Sequence, residues 1–307
     1  MTLRQRPGGS PPCPPCGGGL RLAAVAPLAV LLAGLLAQAP APPAALVRAL
    51  GIAPAGAQRA SAATRPLLGL PYEPDPLGDG EGDRFRLDTF DCMSFVETAV
   101  ALGSSRTLAE AARALDDVRY QGAPRRAERH HEVLSQWLPA NVARGYLAEA
   151  TPAIAADRAL REERVYTAEG WDALHRTGRA IVGLPRALEP IGRYGAWVVA
   201  PEDVLTVAAR IPDGALVFVV RTDDPRRASR VTHAGLVVVG RDGARRVRHA
   251  TSSTGLRQVI EEPLGTFLRR EQAAHPGWPV VGLTFYSVLD ASARVQALGQ
   301  AAGFRAP

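Results

Sequence analysis

A chain of 307 residues is long enough for one large domain or two small ones, and 47% hydrophobic with 21% charged residues is the balance of a folded protein, not a disordered one. The formal charge of +6 suggests nucleic acid or a membrane surface. Four arginines, Arg4, Arg6, Arg21 and Arg48, however, stand in residues 1–57 where no acidic residue occurs, and those beyond are interspersed with Asp and Glu, so the basicity reads as a solvated surface with no nucleic-acid partner. No lysine occurs anywhere, which excludes Schiff-base chemistry, a P-loop lysine and a Ser-Lys dyad.

Residues 1–57 have the pattern of an export leader: Arg4, Arg6 and Arg21 precede an apolar run from Leu22 to Ala37, followed by small and proline-rich sequence. Cleavage is expected after Ala55-Gly56-Ala57 in preference to Ala37-Gln38-Ala39, where Pro40 follows directly. A retained membrane anchor is the competing reading, and either one predicts a periplasmic or extracellular protein whose only membrane contact is this segment. Cys13 and Cys16 form a CxxC ahead of the apolar run, where neither a lipoprotein cysteine nor a folded metal site belongs.

Cys92 is then the only cysteine of the presumed mature chain, residues 58–307, and has no disulfide partner. A small buried hydrophobe is the ordinary role of a lone thiol. The context argues otherwise: in DCMSFVETAVALG, Phe95, Val96, Ala99, Val100 and Leu102 recur at helical spacing, Asp91 is an N-cap and Gly103 a C-terminal stop. Cys92 falls in the first helical turn, where unpaired amides and the positive end of the macrodipole favour a thiolate.

A second helix is predicted in TLAEAARALDDV, with Thr107 and Glu110 as a capping box. Arg129, His130, His131 and Trp137 fall on or before a short helix ending at Pro139, and Arg129, His131 and Trp137 are candidates to border a substrate groove. The alternative is that Trp137 is core and Arg129 its ion-pairing neighbour. Residues 153–192 carry few strand signals and read as helices and loops inserted into one domain. His175 and His275 stand in polar surroundings and receive no role.

A nucleophilic cysteine needs a base, and of the six histidines two lie on a convincing strand pair. Thr232–Gly240 and Arg245–Thr251 are strands joined by a turn at Arg241, Asp242 and Gly243. This hairpin sets His233 and His249 within about one residue of directly opposite, close enough for the imidazoles to touch. His233 would take the Cys92 proton and His249 would orient it. Further strands are expected within residues 209–222 and 280–288. There is no HExxH, no second CxxC outside the leader and no DxDxDG loop, so neither a metal nor another cofactor is expected; zinc held by Cys92, His233 and His249 would leave the helix-start position of the cysteine unexplained.

These residues carry a resemblance. A helix-initiating DC, a strand beginning HAG at His233 and a strand ending in His249 resemble the NlpC-type papain-like cell-wall cysteine peptidases. FDCMSFVE, the pattern Arg129-x-His131 with Trp137 and Asn141, and RHATSS are similar to the N-acetylmuramoyl-L-alanine amidase-like branch. The similarity spans about residues 66–287. Met93, where the wider superfamily commonly has a small residue, favours that branch, while Ile211-Pro212-Asp213-Gly214-Ala215 replaces a more usual Gly-Asp pair. The resemblance implies an α+β, papain-like fold with the nucleophile helix packed on an antiparallel sheet, and catalysis by Cys92, His233 and His249. It also implies an oxyanion hole from the Cys92 amide and the hydroxyl of Tyr72 in GLPY. The implied substrate is peptidoglycan, cut at the muramoyl-L-alanine bond or within the stem peptide. A silent peptidoglycan-binding protein and an acyltransferase using the same Cys-His pair remain the alternatives.

Overall fold

The computed structural model describes residues 44–77 and 84–303; Cys13, Cys16 and the apolar run of the expected leader lie outside them. In chain order the helices are α1 (Ala44–Ile52), α2 (Ala57–Thr64), α3 (Cys92–Gly103), α4 (Leu108–Arg119), α5 (Leu138–Ala143), α6 (Thr151–Ala155), α7 (Ala168–Arg176), α8 (Val204–Val207), α9 (Leu264–Ala274) and α10 (Ser292–Gly303). The strands are β1 (Leu147–Glu149), β2 (Ala159–Tyr166), β3 (Gly192–Val199), β4 (Ala215–Arg221), β5 (Val231–Val239), β6 (Arg245–Thr251), β7 (Gln258–Pro263) and β8 (Val280–Val288). They form one antiparallel sheet in the order β2-β3-β8-β4-β5-β6-β7, with β1 also pairing β8.

Strand β4 is apolar at almost every position because both faces of the sheet are covered. Leu216 and Phe218 turn to one side, where Ala234, Leu236 and Ala250 of the neighbouring strands meet Phe95, Val96 and Val100 of α3. Ala215, Val217 and Val219 turn to the other, against Leu264, Phe267 and Leu268 of α9. The mixed α+β class and the helix-on-antiparallel-sheet arrangement are thus as the sequence predicts.

Helix α3 begins where its cap dictates. Asp91 Oδ1 accepts from the Ser94 amide at 2.7 Å, and Ser94 Oγ accepts from the Asp91 amide at 2.9 Å, satisfying two orphan donors reciprocally. Ser94 through Gly103 are all buried, so each large apolar residue contributes roughly 1.5–3 kcal/mol relative to exposure. The one ionic group inside, Glu97, is bonded to Arg119 of α4 at 2.7 Å. Helix α4 carries the expected box, with Thr107 Oγ1 accepting from the Glu110 amide.

Three features differ from what the local pattern suggests. First, residues 44–57 pack with the rest of the domain: Leu46, Ala49 and Leu50 of α1 are in the main core. Gly56 follows with φ +82, and a β-carbon there would lie 2.9 Å from the Val288 carbonyl oxygen. Alanine-rich sequence after an apolar run resembles a leader locally, whereas the docking of α1 is a long-range fact. Second, residues 153–192 include a full strand: β2 pairs β3 from Ala159↔Val199 to Tyr166↔Gly192. Its sequence, ALREERVY, lacks alternation because it is an edge strand whose charges find partners, Glu162 with Arg230, Glu163 with Arg193 and Arg164 with Asp223. Third, Pro139 does not end a helix. A π-helical turn at Val133–Trp137 runs into α5, and Pro139 occupies the first turn of α5, where its missing N–H costs nothing. No helix among the described residues is long and apolar enough to cross a membrane.

Candidate active site

The capped start of α3 delivers Cys92 to the sheet at β5. The Ala234 backbone amide faces the sulfur, so the thiol abuts the strand at the residue directly after His233. Cys92 is a free thiol, partly exposed. Burial pushes it up to about 12, with the neighbouring Asp91 carboxylate adding to the effect, while the amides of Ala234 and Cys92 pull the other way. The resting group is therefore a thiol. Desolvation here opposes what the helix terminus and the two amides favour.

Strands β5 and β6 pair from Leu236↔Arg248 to Val239↔Arg245, which sets His233 two residues from the position facing His249, not one. An offset of two keeps both side chains on the same face, and the contact is diagonal. Gly235 makes it possible, because a β-carbon there would stand 3.1 Å from the His249 β-carbon and 2.7 Å from Val247 Cγ1. His233 Nε2 and His249 Nδ1 approach to 2.7 Å, the rings crossing at 88°. Phe267 of α9 covers both, with centroids 5.7 Å from His233 and 5.1 Å from His249. Burial drives His249 down to about 3 and His233 well below its ordinary value, each depressed further by nearby positive charge, so both are neutral at neutral pH.

Two partners behind the pair were not legible in the sequence. His249 Nε2 lies 3.0 Å from Glu262 Oε1 on β7, and the other oxygen of Glu262 is held by Arg270 of α9. Glu262 stands 13 residues beyond His249, but nothing in EEPLG announces which of its acids points inward.

Tyr72 is carried to the same end of α3 by backbone pairing. Its amide donates to the Arg257 carbonyl at 2.9 Å, and Phe90 and Glu73 exchange hydrogen bonds with the flanking chain, so residues 71–73 run beside the approach to Cys92. Burial and the charges of Cys92 and Asp91 push the Tyr72 phenol up; Ser252 hydrogen-bonds the side chain and opposes that shift. The Arg257 guanidinium lies 5.7 Å from the Tyr72 ring centre. Arg257, held at φ 35, was also unmarked in the sequence.

Arg129 and His131 lie beside a cavity of about 210 Å³ that also touches Asp75, Asp91 and Met93. Arg129 Nη1 donates to Asp75 Oδ1 at 2.9 Å and Arg126 Nη1 to Asp75 Oδ2 at 3.1 Å. His131 Nε2 is 2.9 Å from the Arg126 carbonyl oxygen. Trp137 is not in this cavity. It is wholly buried against Phe218, 5.8 Å between centroids, at a position in the main core. His175 is paired with Glu189, and His275 meets Trp278 edge-on, 6.2 Å between ring centroids. Among the described residues no group of three or more His, Cys, Asp or Glu side chains is arranged to hold a metal ion.

The fold and site define an α+β protein in which a capped helix start presents a cysteine to a histidine-bearing antiparallel sheet. The chain belongs to the AmiA-like family, N-acetylmuramoyl-L-alanine amidase-like, whose model matches residues 62–274. No curated protein matches it in sequence. Among solved structures it is similar to a Legionella pneumophila protein, at 18% identity over 80% of this chain and 89% of that one, with a TM-score of 0.61. It is also similar to an N-acetylmuramoyl-L-alanine amidase of Bacteroides uniformis, at 17% identity over 72% of this chain and 94% of that one, TM-score 0.56. A second structure with the same description gives 17% identity, 73% and 95% coverage, and a TM-score of 0.53. At these identities the likeness is one of fold.

Proposed function

We propose that the protein is an exported cysteine amidase of the NlpC-type, papain-like superfamily that hydrolyses the amide between the muramoyl lactyl group and L-alanine in peptidoglycan. The observation that carries this reading is the meeting of the family match with one geometry: Cys92 at a capped helix start, against the strand that bears His233, which is bonded to His249 on the next strand.

The chemistry follows from the groups present. Cys92 attacks the lactyl carbonyl carbon as its proton passes to His233 Nδ1. The oxygen gains negative charge facing the Cys92 amide and the Tyr72 hydroxyl. His233 returns the proton to the L-alanine nitrogen as the C–N bond breaks. Water, deprotonated by His233, then cleaves the thioester and restores the thiol. Because thiol and imidazole are both neutral at rest, attack and proton transfer are coupled and no preformed ion pair is required. Arg129 and His131 border the same cavity as Met93, which supports their role in meeting substrate polar groups that enter next to the nucleophile.

Export rests on the basic and apolar pattern of residues 1–37. The packing of α1 favours processing upstream of Ala44, at Ala37-Gln38-Ala39, over cleavage after Ala57.

Digestion of purified peptidoglycan by the protein, beside Cys92→Ala, with fragments identified by mass spectrometry, tests the reading. Free stem peptides starting with L-alanine, released only by the wild type, are the expected result. Products cut at another bond, adducts formed only with an added amine, or Cys92-independent release would overturn it.

A further inference from the structure

His233 and His249 are each neutral, so each ring carries one hydrogen on one of its two nitrogens, and only one of the possible arrangements leaves His233 able to act as a base. The 2.7 Å contact between His233 Nε2 and His249 Nδ1 needs a hydrogen between them. If His249 supplied it, His233 Nε2 would be the acceptor, His233 would carry its hydrogen on Nδ1, and that nitrogen could not accept the thiol proton. The base function requires the opposite arrangement. His249 must therefore be protonated on Nε2, and something beyond the pair must impose it.

We infer that Glu262 and Arg270 are positioning residues that set the tautomers of both histidines and thereby make His233 Nδ1 a base. This rests on the reading of Cys92 and His233 given above. An ionised carboxylate only accepts, so Glu262 Oε1 at 3.0 Å demands the hydrogen on His249 Nε2. His249 Nδ1 is then bare and accepts from His233 Nε2–H. His233 Nδ1 is left bare for the thiol. Arg270 engages the second oxygen of Glu262, and its charge and hydrogen bonds oppose the upward push that burial gives that carboxyl. Arg270 Nη1 also lies 3.4 Å from His249 Nε2, but it is a donor facing a donor there, and the nearer carboxylate prevails. Phe267 packs against both rings on the α9 side.

The proton count balances with one transfer. During attack the Cys92 proton moves to His233 Nδ1, which makes His233 an imidazolium; His249 and Glu262 keep their protonation states throughout. The developing positive charge on His233 is opposed through the neutral His249 by the Glu262 carboxylate, the role a carboxylate has behind the base in a hydrolytic triad. Here that carboxylate is one residue further out.

Nitrogen-15 NMR of the histidine-labelled full chain tests the assignment without a substrate. The wild type is expected to show His233 and His249 both protonated on Nε2; a His249 signal with the hydrogen on Nδ1 overturns the proposal. Glu262→Gln offers an amide that can donate to His249 Nε2, and the expected result is a shift of His249 toward Nδ1–H together with a fall in kcat on the order of 10-fold to 100-fold at little-changed KM. Glu262→Asp should recover part of kcat. If Glu262→Gln leaves both the tautomers and kcat as in the wild type, the inference fails while the amidase reading stands. If the wild type cuts no wall material, the tautomer measurement still decides this inference on its own. Arg270→Gln supplies a second variant, for which a lower kcat and an acid limb moved to higher pH are expected, and an unchanged pH profile counts against Arg270.

Discussion

Gly235 stands against His249 so closely that a β-carbon on it would come within 3.1 Å of the His249 β-carbon and 2.7 Å of Val247 Cγ1. The diagonal reach of His233 to His249 uses the space this glycine leaves empty. Gly235→Ala forces the two strands or the His249 side chain to shift, a change of the kind that costs about 1–3 kcal/mol. Thermal unfolding should register that loss, and amidase turnover should fall further than the stability loss alone explains. An alanine variant with full activity would mean that the pair tolerates a displacement the contact distances do not allow.

The Asp91 carboxylate both caps α3 and raises the neighbouring thiol. These two effects separate in two variants. Asp91→Ala removes the cap and should cost about 1 kcal/mol. Asp91→Asn keeps an acceptor oxygen for the Ser94 amide but removes the charge, so the stability should hold and the thiol should become more acidic. Alkylation of Cys92 followed against pH is the readout. In the wild type the rate should climb through neutral into alkaline pH with no mildly acidic plateau, and in Asp91→Asn the curve should move to lower pH.

Stability against pH carries the signature of the buried histidines. Burial holds His249 down to about 3 and His130 to about 4, against an ordinary 6.5. Over that interval the unfolded chain binds protons that the native state does not, so their contribution is whole above 6.5 and is lost as pH falls. Glu271 works in the opposite sense. Burial lifts its carboxyl from 4.5 to about 7, so the native state holds the extra proton and this contribution is lost as pH rises through the interval. The effects oppose one another between about 4.5 and 6.5, where the histidines, His233 among them, outnumber the one carboxyl, and below about 4.5 the histidines act unopposed. Urea midpoints should therefore fall gently across the upper interval and steeply below it; a flat midpoint down to about pH 3.5 would contradict neutral buried imidazoles.

Glu97 and Arg119 form an ion pair in which both side chains are about 1% exposed. Removing either partner strands a buried charge, at a cost of about 3–5 kcal/mol. Replacing both with apolar residues of similar volume, Glu97→Leu with Arg119→Met, should recover most of the loss, measured by denaturant unfolding. Arg119 also donates to the Arg84 carbonyl at 3.0 Å, so that recovery is expected to be incomplete.

Helix α1 provides a test of where the folded chain starts. Leu46 is fully buried, and Leu46→Ala should cost about 2–5 kcal/mol. N-terminal sequencing of the protein recovered from a secreting host, where the proposed export places it, is expected to find a start upstream of Ala44. A start at Gln58 would require the remaining core to close over the surface that Leu46, Ala49 and Leu50 cover.

What could be read from sequence is what near neighbours encode. The start of α3 at Cys92, the Thr107–Glu110 box and the β5–β6 hairpin each depend on residues within a few positions of one another, and each lies where the pattern puts it. From these alone the thiol, its helix terminus and the two histidines of one face were in hand. The tertiary structure decided the rest. The hairpin register made the His233–His249 contact diagonal, with Gly235 as the space between, because side-chain reach across a twisted sheet is set by offset and not by turn position alone. Strand order brought Glu262 on β7 and Arg270 on α9 behind His249, and no local pattern marks which acid of a surface-like segment will face inward. The packing of Trp137 and α1 was not legible for the same reason: an aromatic at groove-like spacing and an apolar stretch after a basic segment have the same local pattern whether they end in the core or not. Desolvation of Cys92 then opposes the effect of its helix terminus, since it depends on everything packed around the thiol, and that is settled only when the whole sheet is assembled.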